Sequence, residues 1–280
     1  MLIERGLKDE ILRTAVIPLL QRRGVAASGT FYSVLVNEPF EILAGHRRHR
    51  PPLQRRWYDL DVRKITDAPE IFDISPLLSE RTAVFPQDVP FSRELTLDFE
   101  SGNKNLLLSS ICTTVHLGAH TDAPNHYNPK GESIDMRSLA YYLGPCQVIS
   151  VRLQPGVRVR PKDIRDTDIM AARVLFKTQS FPQPDRWNAD FNALSAELVE
   201  KLAAQQVVLV GIDTPSIDLA DDEFLESHQA AARHDLAILE GIVLSDVPDG
   251  FYTLVALPLR LEGADASPVR AVLIKDGKHK

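Results

Sequence analysis

Three histidines and an aspartate stand within eleven residues, in the run His116-Leu-Gly-Ala-His120-Thr-Asp122-Ala-Pro-Asn-His126. Imidazole nitrogens with a carboxylate and no thiolate suit zinc, manganese or iron, and an open coordination position would mark catalysis. On a helix, His116 and His120 would share a face, as in zincins, but Asp122 would lie on another side. Gly118 and Pro124 also disfavour a helix. A bent, extended loop lets all four side chains converge. A lone histidine is usually an ordinary surface or core residue; four such groups at this spacing are not readily explained that way.

A second block reads Ser227-His228-Gln-Ala-Ala-Ala-Arg-His234-Asp-Leu-Ala-Ile-Leu-Glu240-Gly241. His228 and Glu240 are twelve apart, and spacing alone does not bring them to the first block. Taken by itself the block reads as a surface helix ending near Arg233, then a buried strand with a terminal Glu.

The elements that must position these groups begin in earnest at Ile71. Residues 105–115 are rich in Leu, Ile, Val and Thr and predict one long strand or a strand pair. Residues 146–152, 173–177 and 206–212 are short β-branched runs of buried type, and 251–257 and 269–274 give two more strands. Leu198, Val199 and Leu202 have helical spacing, with Ser195 placed to cap the helix. Strands outnumber helices, so residues 68–280 are expected to form a mixed α/β or α+β domain without repeats.

Residues 1–67 read differently. They carry twelve Lys/Arg against eight Asp/Glu, whereas the rest of the chain is acidic enough to bring the net charge to −6. A short helix over 2–20, kinked or ended by Pro18, a strand over 30–36 and a basic, Pro-rich linker over 46–52 are expected there. The basic stretch has no interleaved aromatics, which favours a solvated linker over a nucleic-acid arm. We expect 1–67 to be an N-terminal extension dispensable for fold and chemistry, disordered or reflecting a start upstream of the native one. No apolar run approaches the roughly 20 residues that span a bilayer, and the acidic N-terminus does not suit a transit peptide. A cytoplasmic protein is expected, with Cys112 and Cys146 as buried free thiols.

These residues resemble the cyclase-type, bacterial kynurenine formamidase (arylformamidase) family. The likeness runs from Phe72 to Val272. It takes in Asp73-Ile-Ser-Pro-Leu, Val84-Phe-Pro-Gln-Asp, the His-rich block, Gly211-Ile-Asp-Thr-Pro-Ser, His228, Ala237-Ile-Leu-Glu-Gly, Leu257-Pro-Leu-Arg and Asp265-Ala-Ser-Pro-Val-Arg. The resemblance implies an α/β fold, the swivelling β/β/α domain of the cyclase superfamily, a homodimer and two divalent ions per chain, zinc or alternatively manganese. It implies one ion on His116, His120, Asp122 and Glu240 and the other on Asp122, His228 and Glu240, with His126 carrying protons. The implied reaction is hydrolysis of N-formyl-L-kynurenine, with a sister activity on isatin or another aryl or cyclic amide as the alternative. No nucleic-acid or membrane partner is implied. His234 is expected to support the structure or a ligand rather than ligate. Two departures stand out: Gly118-Ala119-His120 replaces Gly-Thr-His, and Phe85 stands where the family has a substrate-stacking Trp. Phenylalanine keeps an aromatic face but loses area and the indole N–H.

Overall fold

The computed structural model describes residues 69–100 and 105–275, so the expectations for 1–67 lie outside the described residues. In chain order come β1 (Glu70–Asp73), the pair β2 (Ser92–Leu97) and β3 (Leu108–Cys112), then β4 (His120–Asp122) and β5 (Leu143–Ser150). Next are the short β6 (Arg158–Val159), β7 (Arg173–Lys177), the short β8 (Ala193–Leu194) and helix α1 (Ala196–Ala204). The chain continues through β9 (Leu209–Ile212), α2 (Glu226–His234), β10 (Ala237–Glu240), β11 (Gly250–Val255), β12 (Ala266–Pro268) and β13 (Val272–Lys275). The mixed α/β class expected from the sequence is what forms.

Nine strands make one sheet in the order β1-β13-β11-β5-β7-β9-β10-β4-β12. Its centre, β5-β7-β9-β10, is parallel, and antiparallel strands flank it on both sides. Strand residues alternate faces, so Leu175, Leu209 and Leu239 join one apolar cluster with Ile74, Val148 and Leu254. Val174, Phe176, Val210, Ile212 and Ile238 join the other, beneath the two helices. Helix α1 supplies Leu198, Val199 and Leu202 to that second cluster, each fully buried side chain contributing roughly 1.5–3 kcal/mol. Its N-cap is Ser195, whose hydroxyl accepts the Leu198 N–H as the sequence suggested.

Three details differ from expectation. The 105–115 run supplies one short strand rather than a long one or a pair: β3 pairs with β2 as a separate two-stranded ribbon whose Leu95, Leu108 and Ile111 are exposed. β9 starts at Leu209 rather than Gln206, because Gln206 takes a left-handed turn (φ 65°) after α1. Both cysteines are free, yet only Cys146 is buried; Cys112 lies on β3, whose residues are all exposed.

Candidate active site

Strand β4 carries the centre of the site. His120 and Asp122 flank Thr121 and so share one face, while the Thr121 hydroxyl is turned to the β10 backbone, donating to the Ile238 carbonyl at 2.6 Å. The antiparallel register sets Glu240 directly opposite His120 and Ile238 opposite Asp122. Direct cross-strand partners bring their side chains together, and this is how a residue 120 positions away reaches the His-rich block. The segment before β4 turns through Gly118 (φ 58°), and the one after β10 turns at Gly241 (φ 64°). Any Cβ on Gly241 would collide with the Gly118 backbone, so the pairing of these two turns depends on glycine. After β4 the chain enters a single 3₁₀ turn, Pro124–His126. The expected bent segment is therefore strand, then turn, and its four side chains do converge.

His228 arrives from the first turn of α2. Asp218 accepts the backbone N–H of Ser227 and of His228, capping the helix from a distance, and also receives His228 Nδ1 at 2.8 Å. Arg158 pairs with Asp218 at 2.6 Å from the other side. Although burial opposes it, contact with His228 and Arg158 keeps the Asp218 carboxyl well below the usual range. The block forms the expected helix followed by a buried strand ending at Glu240, and the fold brings both residues into the site. His234 lies apart from them, exposed in the last turn of α2.

The distances set the histidines in two groups around the same two carboxylates. Asp122 Oδ1 faces His116 Nδ1 at 3.1 Å and His120 Nε2 at 3.5 Å, and Glu240 Oε2 faces the same His120 nitrogen at 3.2 Å. Asp122 Oδ2 faces His228 Nε2 at 3.2 Å, and Glu240 Oε1 lies 3.5 Å from that nitrogen. The outward nitrogens are held by acceptors: His120 Nδ1 by the Gly118 carbonyl at 2.9 Å, and His116 Nε2 by Asp265 at 3.0 Å. Each inward nitrogen is thereby left to offer a lone pair. Asp122 is 1% exposed, and its Oδ1 has no hydrogen-bond partner although two imidazole nitrogens lie near it. A buried carboxylate oxygen without a hydrogen bond, beside imidazole nitrogens and a second carboxylate, makes a donor set that fits a divalent metal. Ligand atoms of Asp122, His126 and His228 also lie within 4.8 Å of one another, so proximity alone leaves His126 as a further donor beside His228.

Burial works to lower the pKa of His116 and His228, but the carboxylates beside them, Asp122 foremost, outweigh it and raise them to about 9 and about 10. Both lie above the unfolded value of about 6.5, so their protonation stabilises the metal-free fold fully below that pH and is lost as pH rises through 9 to 10. A cation must displace those protons. Metal uptake near neutral pH is therefore expected to release about two protons per chain, and apparent affinity should rise with pH. Calorimetry in buffers of different ionisation enthalpy measures this; release of none would show that the rings are already neutral. His126 goes the other way: burial pushes its ring below the ordinary imidazole range.

The cluster sits at the floor of a cavity of about 260 Å³. Phe85, Phe181, Trp187 and Pro184 form an apolar wall beside His126, His116 and His228. Phe85 meets Trp187 edge-on with centroids 4.6 Å apart, and Phe191 backs both rings. Sequence reasoning placed Phe85 here but missed Trp187, which returns to the same wall the indole lost at position 85. It also missed Asp218 and did not assign a role to Asp265; nothing local in the chain marks either as a histidine partner.

The chain matches the Cyclase family over residues 72–219. It is 45% identical over 204 residues to a kynurenine formamidase of Polaromonas naphthalenivorans (strain CJ2), covering 72% of this chain and 90% of that protein. The structure of a predicted metal-dependent hydrolase from Bacillus stearothermophilus superposes with a TM-score of 0.64 at 30% identity, covering 75% of this chain and 99% of that one. Isatin hydrolase A from Ralstonia solanacearum shares the fold (TM-score 0.63, 74% and 92% covered) at 21% identity.

Proposed function

The chain belongs to the Cyclase family, and from that premise we propose that it hydrolyses N-formyl-L-kynurenine to L-kynurenine and formate, a step of tryptophan catabolism. One observation carries the chemistry: a buried Asp122 carboxylate whose Oδ1 has no hydrogen bond and whose two oxygens face three histidines, in a pocket lined by aromatic rings. In this reading His116, His120, Asp122 and Glu240 hold one divalent ion, and Asp122, His228 and Glu240 hold a second. Zinc, or alternatively manganese, would supply Lewis acidity there, making a water nucleophilic near neutral pH and steadying charge on the formyl oxygen. The protein does the rest. Phe85 and Trp187 hold the aryl ring against the wall, so loss of either ring should raise KM more than it lowers kcat. His126, which lines the pocket and whose ring burial pushes below the ordinary imidazole range, takes a proton from the attacking water. It returns that proton to the aniline nitrogen as the amide C–N bond breaks, leaving kynurenine and formate.

Formate release from N-formyl-L-kynurenine by the metal-loaded chain is the deciding measurement. Faster opening of isatin, with little formate from the formyl amide, would overturn the assignment in favour of the sister activity.

We further propose that the enzyme is a homodimer and that residues 1–67 lie outside the catalytic unit. Support comes from the exposed apolar ribbon of β2 and β3 and from likeness that covers only 72% of the chain. A chain starting near Val62 should keep full activity and the mass of two copies in light scattering. An insoluble or inactive product would refute it. Among the described residues no helix is long and apolar enough to cross a membrane.

A further inference from the structure

Asp265 enters the site from the opposite side to Glu240. It immediately precedes β12, which pairs with the other edge of β4, setting Ala266 opposite Asp122 and Pro268 opposite His120. Its carbonyl accepts the Ala123 N–H at 2.8 Å, so its backbone is fixed against the strand that carries the cluster. One carboxylate oxygen, Oδ2, then lies 3.0 Å from His116 Nε2 and 3.5 Å from His126 Nδ1. The two rings lie side by side, with centroids 4.3 Å apart.

A neutral imidazole carries one N–H, and an acceptor at one nitrogen leaves the other as a lone pair. For His116 the consequence is settled by its second neighbour, because Nδ1 faces Asp122. The same logic applies to His126. Among the described residues no other carboxylate or carbonyl pairs with either of its nitrogens, and its ring lines the cavity. We propose that Asp265 is a positioning residue for both rings: it holds the N–H of His126 at Nδ1 and so presents the Nε2 lone pair to the substrate. The 3.5 Å contact is long for a hydrogen bond, as catalytic pairs often are before a substrate tightens them. A nucleophile or proton carrier oriented by a third group is the arrangement that triads share. Here one carboxylate serves a metal-ligand ring and a proton-transfer ring at once, which ties the direction of the proton carrier to the geometry of the cluster.

The inference rests on reading His126 as the proton carrier, but its test does not need substrate. In zinc-loaded protein with ¹⁵N-labelled histidine, two-bond ¹⁵N–¹H correlations report which nitrogen holds the proton. His126 should be the Nδ1–H form in the parent chain and in Asp265→Asn, whose amide oxygen still accepts. In Asp265→Ala it should shift toward Nε2–H, the form a free imidazole prefers. The alanine variant should keep its zinc and lose about 10- to 100-fold in kcat with KM little changed, the asparagine variant falling between. His126 found as Nε2–H in the parent chain overturns the proposal, and that result stands even if the alanine variant does not fold. A rate that falls only in proportion to lost zinc also overturns it, for Asp265 would then serve His116 alone.

Discussion

A His126→Ala chain should retain its full metal content and lose about 10²- to 10⁴-fold in kcat, roughly 3–5 kcal/mol of barrier, the usual cost of removing a general acid–base. Geometry gives His126 a different standing from its neighbours. The inward nitrogens of His116, His120 and His228 each lie 3.1–3.5 Å from a shared carboxylate oxygen. His126 has no such contact; its paired neighbour is Asp265, on the outer side. It is also the more open ring, 33% exposed against 2% for His120 and 3% for His228. A residue placed to shuttle protons must reach both water and leaving group, and a sealed ligand cannot. The competing view makes His126 a donor to the second position, where its atoms come within 4.8 Å of those of Asp122 and His228. Elemental analysis separates the two. A His126→Ala protein short of one metal, or one with near-normal turnover, removes the proton-carrier role. His116→Ala is the contrast: it should lose metal first and rate in consequence.

How much of this was legible in the chain follows from the range of each interaction. His116, His120, Asp122 and His126 are close in sequence, and a three-residue strand with a turn is enough to gather them, so spacing alone identified them. Helix α1 was equally plain, because its cap and apolar stripe are local. Strand register is not local. Nothing within 237–240 says that Glu240 will face His120; the pairing of β10 with β4 decides it, and a slip of one residue would turn Glu240 to the other face. Only the likeness of the whole motif set to a known family carried Glu240 and His228 into the site beforehand. Asp218 and Trp187 escaped for the same reason, since each acts on a partner reached through tertiary packing. The β2–β3 ribbon shows a further limit: Leu and Ile content marks a strand, but hydrophobicity does not say which surface, if any, covers it.

The shared carboxylates make the second large prediction. Glu240→Gln is nearly isosteric, and Oε1 of the native residue accepts the Ile217 N–H at 2.6 Å. That bond fixes how a glutamine must sit: its carbonyl oxygen has to take the Oε1 place, because an amide NH₂ there would oppose the Ile217 donor. The NH₂ then falls where Oε2 lies 3.2 Å from His120 Nε2, and donates to the lone pair that the first position needs. At the second position only a neutral amide oxygen remains beside His228, a weaker ligand that offsets none of the cation's charge. One substitution should therefore empty or weaken both positions, whereas His116→Ala touches only the first. The fold should survive, since the Ile217 bond is kept and the new amide group is satisfied. Circular dichroism should show native content while metal content falls below two per chain and activity drops by about 10²-fold or more. If the purified variant still holds two tightly bound metals, Glu240 does not bridge, and the two positions are built independently.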